Sequence, residues 1–150
     1  MKLRNYTSSV PVERSLSAIE TLLVMAGATH IARFYDDQKR IAGFLFQIPI
    51  NGLSLAFKLP VNSLAVKRIL ETEIKHPRRG TMNKVGEQAE RTAWKLLHEW
   101  VHIQLSMIEM QQAEAMQVFL PYAYDGKTEQ TYFEKLKEGG FKQLTSGRGE

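Results

Sequence analysis

The chain has 150 residues, 43% hydrophobic and 24% charged, which suits one globular domain with a single buried core. It has no cysteine, so disulfides and thiolate metal sites are excluded. The formal charge of +4 favours a polyanionic partner. Seven Lys/Arg against two Glu fall between Lys58 and Lys84, whereas six Asp/Glu against three Lys fall between Glu109 and Glu138.

The start, Met1-Lys2-Leu3-Arg4-Asn5-Tyr6, has no apolar run behind its charges, and no stretch approaches the roughly 18 apolar residues of a membrane span. The expectation is a soluble cytoplasmic protein with no membrane partner. One domain over 1–150 is expected, with frayed ends at about 1–8 and 145–150.

Pro11 suits a first helical position. Leu16, Ile19 and Leu23 follow at helical spacing up to Ala26, and Gly27 can cap the end. Three strand-like runs come next. Ala28 to Tyr35 is followed by the polar turn Asp36-Asp37-Gln38-Lys39. Arg40 to Pro49 then places Ala42, Phe44, Phe46 and Ile48 on one face. Asn51-Gly52 is a hairpin signal, since a type I′ turn needs positive φ at both central residues. Leu53, Leu55, Phe57 and Leu59 then alternate with smaller or polar residues, which predicts a three-stranded antiparallel meander.

Pro60 stops the third strand, and Asn62 or Ser63 can cap a short helix to about Lys75. A loop, His76-Pro77-Arg78-Arg79-Gly80, separates it from a long helix expected from Val85 or Gly86 to about Val118. Leu120-Pro121 ends that helix and Asp125-Gly126 makes a turn. Thr128 can cap a last short helix ending at Gly139-Gly140. The fold class is α+β: an N-terminal helix, a three-stranded antiparallel meander, and a helical C-terminal half with one long helix. The order α-βββ-α also begins a double-stranded-RNA-binding domain and several nuclease cores. The lysine-rich helix start and glycine loop of the former are absent, and Phe46-Gln47-Ile48 lacks the acidic pattern of the latter.

His98-Glu99-Trp100-Val101-His102 spells H-E-x-x-H. On a helix the histidines lie one turn apart and can share a zinc ion, with Glu99 as base for a metal-bound water. A helical wheel places Ala93, Leu96, Trp100, Ile103 and Met107 on one apolar face, flanked by Trp94, Leu97, Val101, Leu105 and Ile108. Arg91, Lys95, His98, His102 and Glu109 occupy the polar arc, which is equally the arc of a solvated surface. A catalytic zinc needs a third protein ligand. Glu109 lies about 10 Å farther along the axis, and no Gly-x-x-His follows His102. No catalytic residue, metal ligand or cofactor is therefore assigned, and a zinc metallopeptidase stays as an alternative.

Lys67, Arg68, Lys75, Arg78, Arg79 and Lys84 cluster on and around the middle loop and can neutralise several phosphates. No aromatic residue is interleaved with them, so base stacking is not indicated locally. A run of this kind is also often only a solvated surface. A third reading takes the heptad-spaced seam of Ala93, Trp100 and Met107 with Leu96, Ile103 and Met110. Its far end, Met107, Met110 and Met116, can serve as an adaptable partner surface or homodimer contact, or simply fill core gaps.

Tyr6-Thr7-Ser8-Ser9-Val10-Pro11-Val12-Glu13 resembles the opening of an uncharacterised family of small proteins from phages, prophages and other mobile elements. So do Glu90-Arg91-Thr92-Ala93-Trp94-Lys95-Leu96-Leu97, Val118-Phe119-Leu120-Pro121-Tyr122 and Gly139-Gly140-Phe141-Lys142. The likeness spans most of the chain and implies an origin, but it transfers no activity or site. In that family acidic residues tend to stand where this chain has His98 and His102, so the resemblance implies no zinc pair. The expected role is a non-enzymatic accessory protein of a phage or mobile element. It would bind nucleic acid or a nucleoprotein complex through the basic loop. A protein-interaction or dimerisation module using the long helix is the other alternative.

Overall fold

The computed structural model describes residues 2–74 and 80–145. Helix α1 (Val12–Met25) puts Leu16, Ile19 and Leu23 at full burial in the main core. It starts one residue later than expected, with Pro11 as the N-cap. Gly27, at φ 104°, ends it. The Ala28 amide donates to the Leu23 carbonyl at 2.9 Å and the Gly27 amide to Val24 at 3.0 Å, the two bonds of a Schellman motif.

Strands β1 (His30–Tyr35), β2 (Ile41–Ile50) and β3 (Leu53–Pro60) form an antiparallel sheet in that order. Asn51 and Gly52 have φ of 52° and 80°, as the type I′ reading requires. Register follows the alternation: Phe44 faces Leu59 and Phe46 faces Phe57 across β2 and β3, all buried. Arg33 ties β1 to α1 through Glu13 and Glu20, each at 2.8 Å.

Helix α2 (Ser63–Thr72) is capped by Asn62, whose Oδ1 accepts from the Ala65 amide at 3.0 Å. It ends before the expected Lys75. The Thr72 hydroxyl bonds back to the Ile69 carbonyl, and the Glu73 and Ile74 amides tighten onto Leu70 and Glu71. Helix α3 (Thr81–Glu109) begins four residues before Val85, with Gly80 at its N-cap. Gly86, taken as a start signal, lies inside the helix, where its missing side chain faces Lys67 of α2.

The largest departure is the end of α3. The helix stops at Glu109 rather than near Val118. Gln111 adopts φ 62°, its amide donates to Ile108, and the Gln112 amide donates to Met107. This is again a Schellman motif, with glutamine in the left-handed position where glycine is usual. Helix α4 (Ala115–Phe119) then restarts with a capping box between Glu114 and Gln117. It drives Phe119 into the core against Phe46, Phe57 and Trp100.

A 3₁₀ turn (Leu120–Tyr122) leads into a small hairpin, β4 (Tyr124–Asp125) and β5 (Gln130–Thr131), and Ala123 bridges to Phe57 of β3. Helix α5 (Tyr132–Glu138) is capped by Thr131 rather than Thr128. Thr131 Oγ1 accepts from the Glu134 amide while the Glu134 carboxylate accepts from the Thr131 amide. The chain is thus mixed α+β, and α1 and α3 share one core with one face of the sheet. Helix α2 packs on the other flank of α3 through Val66 and Leu70 against Ala89 and Ala93, joined by Leu3 and Tyr6. No helix among the described residues is long and apolar enough to cross a membrane.

Candidate functional site

Three places in this fold hold the residues singled out by the sequence or left open by packing. The first is the H-E-x-x-H stretch in the middle of α3. Its rings stack with centroids 6.3 Å apart and planes 14° from parallel. His102 is exposed, whereas His98 is half-buried with its Nδ1 enclosed and without a hydrogen-bond partner. Burial pushes the His98 imidazole below the ordinary histidine value. The charges of Lys95 and His102 push the same way, against an upward pull from Glu99.

Glu99 is engaged elsewhere. Its Oε2 accepts from Arg4 Nε at 2.6 Å and from Asn5 Nδ2 at 3.0 Å. The Arg4 hydrogen bond holds its carboxyl below the usual carboxylate range, opposed by partial desolvation. A general base must reach the proton it removes, and this carboxylate is committed to the chain start. Among the described residues no three His, Cys, Asp or Glu side chains gather in a group able to hold a metal.

Glu99 is one contact of a longer strap. The Thr92 hydroxyl donates to the Asn5 carbonyl at 2.9 Å, and Gln88 Nε2 and Arg91 Nε donate to the Ser8 carbonyl at 3.1 and 3.2 Å. The segment Arg4–Ser8 therefore lies along α3 and covers part of its polar arc. Two of the distinctive strings, Tyr6–Glu13 and Glu90–Leu97, are thus apposed. Their joint occurrence has a packing reason as well as any functional one.

The second place is the corner between α2 and α3. Lys67 is half-buried on α2, with Nζ 3.8 Å from Glu71 Oε1. Arg68 on α2 and Lys84 on α3 are exposed and form no ion pair among the described residues. Lys75, Arg78 and Arg79 lie outside the described residues. Beside this corner a polar cleft of about 380 Å³ is lined by Arg40, Lys67 and Asn83, and also by Glu87 and Glu90. The cleft is therefore of mixed charge, with Arg40 and Lys67 set against Glu87 and Glu90.

The third place was not singled out by the sequence. The sheet face turned away from α1 and α3 bears a cleft of about 770 Å³, lined by Ala32, Leu45, Gln47, Ala56, Tyr124 and their neighbours. Period-two alternation identifies its strand residues as those opposite Phe44, Phe46 and Phe57. The hollow itself comes from small side chains and from β4, which no local pattern announced. At its edge Lys58 Nζ sits 4.6 Å from the Phe34 ring centroid and 5.5 Å from that of Tyr124. This ammonium is therefore held on the sheet by cation–π contact.

The methionines expected to continue one seam are divided. Met110 is exposed beyond α3, whereas Met116 belongs to α4 and packs on the core. Ile103, expected on the apolar face, is 58% exposed. Comparison of the chain with family models, curated proteins and solved structures finds no match.

Proposed function

We propose that the chain is a non-enzymatic accessory protein of a phage or mobile element that binds nucleic acid, or a nucleoprotein complex, through the corner between α2 and α3. The origin rests on the resemblance of its sequence strings. The binding surface rests on one observation above all. Arg68 and Lys84 are exposed without ion-pair partners among the described residues, on two helices packed against each other. They bracket in sequence the segment that carries Lys75, Arg78 and Arg79. Lys67, loosely paired with Glu71, supports them from α2.

Such a surface acts by releasing counterions from phosphates, so binding is weak, salt-sensitive and indifferent to base sequence. The engagement of Glu99 by Arg4 and Asn5 supports a binding role over peptide hydrolysis. Filter binding of a DNA duplex to the wild-type chain and to the Arg78→Glu, Arg79→Glu double variant tests the reading. The double variant loses at least about tenfold in affinity, in keeping with two phosphate contacts replaced by repulsion. Equal affinity of the two proteins would overturn it.

A further inference from the structure

We propose that His98 and His102 form a two-imidazole site for a borderline divalent transition ion, of the nickel or copper kind, on the flank of α3. This site is separate from the α2–α3 corner and does not depend on it. The two side chains are one helical turn apart, nearly parallel, with ring centroids at 6.3 Å. An ion about 2.0–2.1 Å from each nitrogen, at the near-right angle of a nickel or copper centre, needs those centroids to close by about 2 Å. Rotation of the exposed His102 side chain supplies that movement. His98 Nδ1 is enclosed, which leaves Nε2 as the nitrogen that can reach an ion. The His102 ring makes no hydrogen bond among the described residues, so binding displaces no existing partner.

The donor set selects the ion. Imidazole nitrogen suits nickel, copper and zinc, whereas magnesium and calcium want oxygen. The chain has no cysteine, and no third ligand joins the pair among the described residues, so water can fill the remaining positions. With two protein ligands, the order of intrinsic affinities favours copper and nickel over the earlier divalent ions. Lys95, one turn before His98, opposes the ion's charge and keeps the site weak. Glu99 is held by Arg4 and Asn5, so the pair binds an ion without a base to activate its water.

Calorimetric titration of the full chain with Ni²⁺ near neutral pH is the test. It should show one ion per chain, with Kd raised at least about tenfold in His102→Ala, since loss of even a second-shell partner costs that much. Lys95→Ala should lower Kd, and His30→Ala should leave it unchanged. His102 is exposed, so its replacement leaves the fold intact, and circular dichroism verifies this. No binding by the wild-type chain, or an unchanged Kd in His102→Ala, would overturn the proposal.

Discussion

Glu99, near the centre of the long helix, accepts a 2.6 Å hydrogen bond from Arg4, ninety-five positions earlier in the chain. The pair fixes the chain start on α3 and turns a would-be catalytic carboxylate into a structural one. A carboxylate held below its ordinary value of 4.5 adds stability above that pH, and loses it as pH falls through the folded value. Glu99→Gln should therefore loosen residues 4–8, seen as faster amide exchange at Asn5 to Ser8 at neutral pH. Acidification below about pH 4.5 should do the same in the wild type. Protection that is the same in both proteins would show that the strap is held without the pair.

His98 predicts a second pH effect, of opposite origin. Its folded-state value is depressed first by burial, then by Lys95 and His102, with Glu99 pulling the other way. The unfolded chain therefore takes up a proton near the ordinary 6.5 while the folded chain resists it. Stability is unaffected above that value and falls as pH drops below it. Urea denaturation across this range should show a shallower pH slope in His98→Gln than in the wild type. An identical slope would show that His98 does not carry the effect.

Gly43 has no room for a side chain. A Cβ there would lie 2.3 Å from the Leu59 carbonyl oxygen and 2.5 Å from two carbons of the Phe34 ring. The ring can turn, but the backbone oxygen belongs to the β2–β3 ladder and cannot retreat without breaking it. Gly43→Ala should cost roughly 1–3 kcal/mol of stability, the usual range for overpacking, measured by chemical denaturation.

Gln111 carries the left-handed residue of a Schellman motif on a side chain with a Cβ, at φ 62°. Left-handed backbone costs a non-glycine residue on the order of 1 kcal/mol. The entropy that glycine loses on folding offsets part of the gain. Gln111→Gly should raise stability by up to about 1 kcal/mol, read as a higher denaturation midpoint with unchanged slope. Destabilisation would mean that the Gln111 side chain has a packing role.

That residue also explains where the sequence misleads. The meander is legible because alternation and Asn-Gly act locally: Phe44, Phe46, Phe57 and Leu59 each declare their face, and Asn51-Gly52 declares the turn. The end of α3 is hidden because glutamine does the work of glycine there, and the apolar spacing of Met107, Met110 and Met116 runs on across the break. The start of α3 is misread because Gly86 looks like a breaker while Gly80 holds the cap. Thr131 and Glu134 do present a capping box at the right spacing, which Thr128 obscures. The strap from Arg4 to Ser8 has no local signal, since its partners Gln88, Arg91, Thr92 and Glu99 are contributed by a helix late in the chain. The polar arc of α3 is therefore legible as polar, but not as covered.

Electrostatic binding of nucleic acid at the α2–α3 corner is the function we propose. Fluorescence anisotropy of labelled duplexes of two unrelated sequences, between about 50 and about 200 mM salt, tests it most directly. Equal affinity for the two sequences and a log–log slope of roughly −0.9 per phosphate neutralised are expected. No binding at the low-salt end, or binding that ignores salt, would contradict it.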